Sequence, residues 1–183
     1  MAKGKKETFL LAKYFDRDLS QADITLFKNE YDSLLAEKQL EIPTIKTLEL
    51  MHWVKRQEVS FGPYHNLSFF EISNRIYSDL VLLDAAEILF SQHHIKSIRL
   101  NMSNKGGNDM MVTDKEGKII IGEAFNTACS FFQIKLRSDL KKFGVDQAGI
   151  IAFNKTALNE PNATFLNTKK SQYPNVEFII CEI

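Results

Sequence analysis

The spacing of apolar residues changes period close to residue 92, and a chain that reads helical before that point and strand-like after it is confined to a mixed α and β fold. Upstream, Phe27, Tyr31, Leu34 and Leu35 recur at helical spacing behind a Ser20/Asp23 capping pattern, which predicts a helix near residues 21 to 38. After Pro43, Leu48, Met51 and Val54 or Lys55 fall on successive turns and predict a second helix with a basic end at Lys55 and Arg56, which "SFGPYHN" then interrupts. Ser68 and Glu71 form a further capping box, and Ile72, Ile76, Leu80, Leu83 and Leu89 extend a stripe that carries a long helix to about residue 91. Downstream, "IKSIRLNM", "DMMVT", "KIIIGEAF", "GIIAF" and "VEFIICEI" read as strands, with "SFFQIKLRSDLKKF" amphipathic between the third and the fourth.

Neither a repeat nor a flexible linker divides the chain, and 183 residues with 44% hydrophobic content suit one domain over residues 1–183. We read residues 1–67 as an N-terminal helical extension and residues 68–183 as the α/β core. Lys and Arg number 23 against 23 Asp and Glu, so overall charge points to no polyanion, and any such site depends on local clustering. Two cysteines, Cys129 and Cys181, are too few for a disulfide scaffold or a cysteine-based zinc site, and the expected setting is the reducing cytoplasm. No apolar run approaches the roughly 20 residues that cross a bilayer, so no membrane partner is expected.

The hairpin inside "DMMVTDKEGKIIIGEAF" allows its register to be worked out. "DKEGK" suits a three-residue loop, Lys115 to Gly117, with Gly117 in the left-handed position of a bulged turn. Asp114 then pairs with Lys118, paired numbers sum to 232, and Asp109 falls opposite Glu123 with Cβ atoms about 4.5 to 5.5 Å apart. Two carboxylates held this close repel unless one is protonated or a cation lies between them. Magnesium takes hard oxygen ligands, and the Ala124 carbonyl can add to the two acids, so the pattern points to phosphoryl chemistry. The plainer alternative leaves one of the acids solvated at the hairpin.

The run "GGNDMMVTDKEGKIIIGEAFN", with a long helix before it and "SFFQIKLRSDLKKF" and "GIIAF" after it, resembles the PD-(D/E)XK nuclease superfamily over roughly residues 68 to 154. The resemblance implies a restriction-endonuclease-like α-β-β-β-α-β core with a mixed sheet flanked by helices. It also implies a hydrolase: an endonuclease that cleaves DNA phosphodiesters with Mg²⁺ or Mn²⁺. Asp109, preceded by Asn108 where the family often has proline, matches the first acid, and Glu123 matches the second. Phe125 stands where the family has its lysine. Because members of the superfamily move catalytic groups to neighbouring elements, the resemblance nominates Lys135 on the following helix, and its plain alternative is a solvated helix face. Asp79 is the candidate for the further acid that the family often draws from its first helix, ahead of Glu71, which the capping box already explains.

Gln133, Arg137 and Lys105 are candidate phosphate contacts, and Lys55, Arg56, Lys141, Lys142, Lys169 and Lys170 add basic groups for a DNA backbone. Asn126 is read as the N-cap of the helix that follows it. His93 and His94 are placed in the turn before a strand, and no histidine has metal-ligand spacing. Cutting both strands often uses two symmetric sites, which makes a homodimer the associated expectation. Two other readings stand beside the nuclease: a nuclease fold that has lost catalysis and binds nucleic acid or protein, and an unrelated α/β domain with a coincidental pair of acids.

Overall fold

The computed structural model describes residues 8–37, 41–102, 107–144 and 146–183. Two helices, α1 (Gln21–Glu37) and α2 (Thr47–Arg56), precede a hairpin of β1 (Glu58–Phe61) and β2 (Tyr64–Ser68). There follow α3 (Phe69–Gln92), β3 (Ile95–Leu100), β4 (Met110–Asp114), β5 (Ile119–Phe125), α4 (Phe132–Leu140), β6 (Gly149–Asn154), α5 (Glu160–Gln172) and β7 (Val176–Cys181). The fold is mixed α/β, and its main sheet has the order β3-β4-β5-β6-β7. Its first three strands are antiparallel, and β5, β6 and β7 are parallel. Among the described residues no helix is long and apolar enough to cross a membrane.

Alternation along β6, buried at every position, explains the layers. Ile150 and Ala152 face a core shared with α1 and α3, whereas Ile151 and Phe153 face a second core under α4 and α5. Ser68 caps α3 by accepting from the Glu71 N–H, and Glu71 reaches back to the Ser68 N–H, so the capping box begins this helix as expected. The Ser20/Asp23 pair does the same for α1. His93 and His94 occupy the turn between α3 and β3.

Three expectations are corrected. The extension is not helical throughout: residues 58–68 form a hairpin whose turn uses Gly62 at φ 54°, with Leu35 packed where a side chain would project. Asn126 does not cap α4, which begins only at Phe132 after a turn through residues 129–131. The amide of Asn154 instead holds the segment after β5, accepting from the Thr127 N–H at 2.9 Å and donating to its carbonyl at 3.0 Å. Finally, α5 lies between "GIIAF" and "VEFIICEI", where none was read. Parallel β6 and β7 require such a crossover, and Asn159, which accepts from the Asn162 N–H, starts it with Pro161 in the first turn.

Candidate functional site

The turn between β4 and β5 forms as its residues dictate. Gly117 has φ 85°, and pairs such as Met110–Gly122 and Thr113–Ile119 each sum to 232. Extended by one residue, that register sets Asp109 opposite Glu123 at the end of the ladder. There the Asp109 carboxylate turns inward and its Oδ2 accepts the Ala124 N–H at 2.9 Å.

Asp109 lies near two buried acids, Asp79 and Glu123, and its charge acts on each. Asp79 on α3, Asp109 and Ala124 line a cavity of about 60 Å³ together with Ser78 and Asn101. Burial pushes the Asp79 carboxyl up to about 7, against the downward pull of hydrogen bonds from Tyr64 and Tyr31 and of the Arg75 charge, while the Asp109 charge adds to the rise. Glu123 is 2% exposed, and burial pushes its carboxyl to about 7 as well; the Lys142 hydrogen bond lowers it and the Asp109 charge raises it. Asp109 therefore acts on both neighbours as a like charge.

The side chains around Glu123 set its electrostatic surroundings. Phe125 is buried in a cluster with Phe132 and Phe153, its ring 5.7 Å from that of Phe153. It cannot carry a charge, but two ammonium groups from the next element come to this place. Lys135 Nζ lies 5.6 Å from the Phe125 ring centre and donates to Asp139 Oδ1 at 3.0 Å. Lys142, in the turn after α4, donates to Glu123 Oε2 at 2.6 Å and stands 3.4 Å from Asp139 Oδ1. Burial pulls the Lys142 pKa down, but the Glu123 hydrogen bond and the charges of Asp139, Glu123 and Asp109 outweigh it and leave it raised. Asp139, buried at 1% exposed and set among the apolar positions Phe132, Leu136 and Leu140 of α4, links the two lysines.

The resemblance nominated Lys135 as the cation beside the acids, whereas the cation in contact with Glu123 is Lys142. Gln133 and Arg137 point elsewhere: Gln133 donates to Asn162 in the contact between α4 and α5, and the Arg137 guanidinium covers the Phe165 ring at 4.7 Å. Lys105 lies outside the described residues. Asp139, Tyr31 and Tyr64 had no place in the sequence-derived site. An acid on the apolar stripe of "FQIKLRSDL" was the readable sign of the first, but nothing local signals the tyrosines.

The donors suit a hard divalent cation in one respect: the Glu123 and Asp109 carboxyls stand within hydrogen-bonding reach of each other, and no N–H or hydroxyl donor reaches the buried Glu123 Oε1. Among the described residues, however, no group of three or more His, Cys, Asp or Glu side chains stands close enough to hold a metal ion. Asp109 and Glu123 are the residues that could hold such a cation. Comparisons with protein-family models, curated proteins and solved structures find no match for the chain.

Proposed function

We propose that the chain is a metal-dependent nuclease of the PD-(D/E)XK type that hydrolyses DNA phosphodiesters at the Asp109–Glu123 pair. The observation that carries this reading is the buried Oε1 of Glu123, which no N–H or hydroxyl donor reaches, on a carboxyl next to Asp109 and under the Lys142 ammonium. Support also comes from the element order α3-β3-β4-β5-α4-β6, which follows the α-β-β-β-α-β succession of a restriction-endonuclease-like core. A cavity of about 60 Å³ leaves no room for a buried small-molecule substrate, which suits a polymer laid across the surface.

Asp109, Glu123 and the Ala124 carbonyl would hold Mg²⁺ or Mn²⁺, with Asp79 as a further acid. When bound, the ion supplies positive charge at the scissile phosphate and lowers the pKa of a water. Lys142 takes the task that Phe125 cannot perform, orienting the attacking water and offsetting developing negative charge, while Asp139 steers Lys142 and Lys135 to this side of the sheet. Lys135 and Lys141 supply contacts for the DNA backbone. Cutting both strands would bring two copies of the chain together.

The second reading, a nuclease fold that binds nucleic acid without cutting it, draws on the Lys142–Glu123 ion pair, which neutralises the carboxylate internally. Nicking of supercoiled plasmid in Mg²⁺, Mn²⁺ or EDTA separates the two. The nuclease reading expects nicking that EDTA and Asp109→Asn both abolish, with a metal-induced rise in melting temperature that the variant lacks. Salt-sensitive DNA binding with no nicking under any metal establishes the binding module instead.

A further inference from the structure

Tyr31 on α1 and Tyr64 on β2 belong to the N-terminal extension, yet both side chains are fully buried and both hydroxyls converge on one oxygen of Asp79. Tyr31 Oη donates to Asp79 Oδ2 at 2.8 Å, and Tyr64 Oη donates to the same oxygen. The Arg75 guanidinium lies 5.6 Å from the Tyr64 ring centre and closes over it. Phenylalanine would fill these positions as well, so the hydroxyls need a reason. A buried carboxylate without donors is costly, and the two hydroxyl donors stabilise its charge together with the Arg75 charge nearby. Both donors take Oδ2, which leaves Oδ1 without a tyrosine donor, and Asp79 lines the cavity with Asp109 and Ala124.

We propose that Tyr31 and Tyr64 are positioning residues of the hydrolytic site: their two hydrogen bonds fix Asp79 where it lines the cavity beside Asp109. The extension is therefore a working part of the site. This inference rests on the metal-dependent reading above and deepens it.

The experiment uses the full chain and compares wild type, Tyr31→Phe, Tyr64→Phe, the Tyr31→Phe/Tyr64→Phe pair, Asp79→Asn, and Tyr64→Phe combined with Asp79→Asn. Two readouts are taken: the Mn²⁺ concentration that gives half of the metal-induced melting shift, and kcat and KM for plasmid nicking. Loss of residues that orient a ligand costs about 10- to 100-fold in metal affinity or activity, so the tyrosine pair should raise the Mn²⁺ midpoint and lower kcat by at least about tenfold, with KM for DNA unchanged. On the Asp79→Asn background, Tyr64→Phe should add less than about twofold, because its effect passes through that carboxylate. Should the pair fail to fold by circular dichroism, Tyr31→Phe, which leaves the Tyr64 bond in place, is read in the same way. A tyrosine pair that matches wild type in both readouts, or a Tyr64→Phe effect equal on the two backgrounds, overturns the positioning role and leaves the nuclease reading intact. A wild-type chain with neither a Mn²⁺ shift nor nicking overturns both.

Discussion

Replacing Glu123 by glutamine removes the charge from the site while keeping the shape of the side chain, and its effect on stability should depend on pH in a specific way. The carboxyl titrates at about 7 when folded and at 4.5 when free, so the folded state holds its proton more tightly than the unfolded state does. Stability from this group is fully present below pH 4.5 and is lost as pH rises through 7. At 1.36 kcal/mol per pH unit that interval corresponds to roughly 3 kcal/mol. Lys142 is 44% exposed, and screening by water at that end of the pair reduces the figure to about 1–2 kcal/mol. Glutamine does not titrate. Melting curves in EDTA at constant ionic strength should therefore coincide for wild type and Glu123→Gln near pH 4.5, with the variant ahead by about 2–8 °C at pH 8.5. Asp79 titrates in the same direction in both proteins and cancels in the difference. Parallel profiles, or a variant that is the less stable at pH 8.5, would show that Lys142 stabilises the charged carboxylate by more than its burial costs, which refutes the reasoning.

Lys142→Met should lower the nicking rate by about 100-fold or more while leaving the metal-induced melting shift in place, whereas Lys135→Met should have the smaller effect; equal rates for Lys142→Met and wild type would move the cation elsewhere. Placing a lysine two residues after Glu123 by Phe125→Lys should fail to aid cleavage, because it puts an ammonium into the cluster of Phe132 and Phe153. The cost should be about 3–5 kcal/mol with no gain in nicking, checked by chemical denaturation, and a variant as stable as wild type would contradict it.

How far the site could be read in advance depended on how local its determinants are. The register sum of 232 held because a single turn with Gly117 in the left-handed region sets an entire hairpin, so Asp109 and Glu123 were legible together. Asp79 was named only through the resemblance, which implies a further acid on the helix before the sheet. Lys142 lay beyond reach because it sits in a turn, where no periodicity assigns a direction; it is carried back over Glu123 by burial of Leu136, Leu140 and Phe143. The α5 helix escaped notice because little of its surface is apolar and only Asn162 and Leu166 are buried, the topology of a parallel pair being what demands it. Tyr31 and Tyr64 meet Asp79 across separations of 48 and 15 residues, which no window along the chain spans.

The start of the described chain has a consequence of another kind. In the sheet order β3 is an edge, and Leu19 pairs with Ile98 on its open side through two 2.9 Å backbone hydrogen bonds. An uncovered edge offers free N–H and C=O groups to any other strand, and this one carries Ile95, Ile98 and Leu100. The segment before α1 thus guards the molecule against pairing with itself: a chain trimmed to begin after Leu19 would present β3 to its neighbours and self-associate edge to edge as its concentration rises.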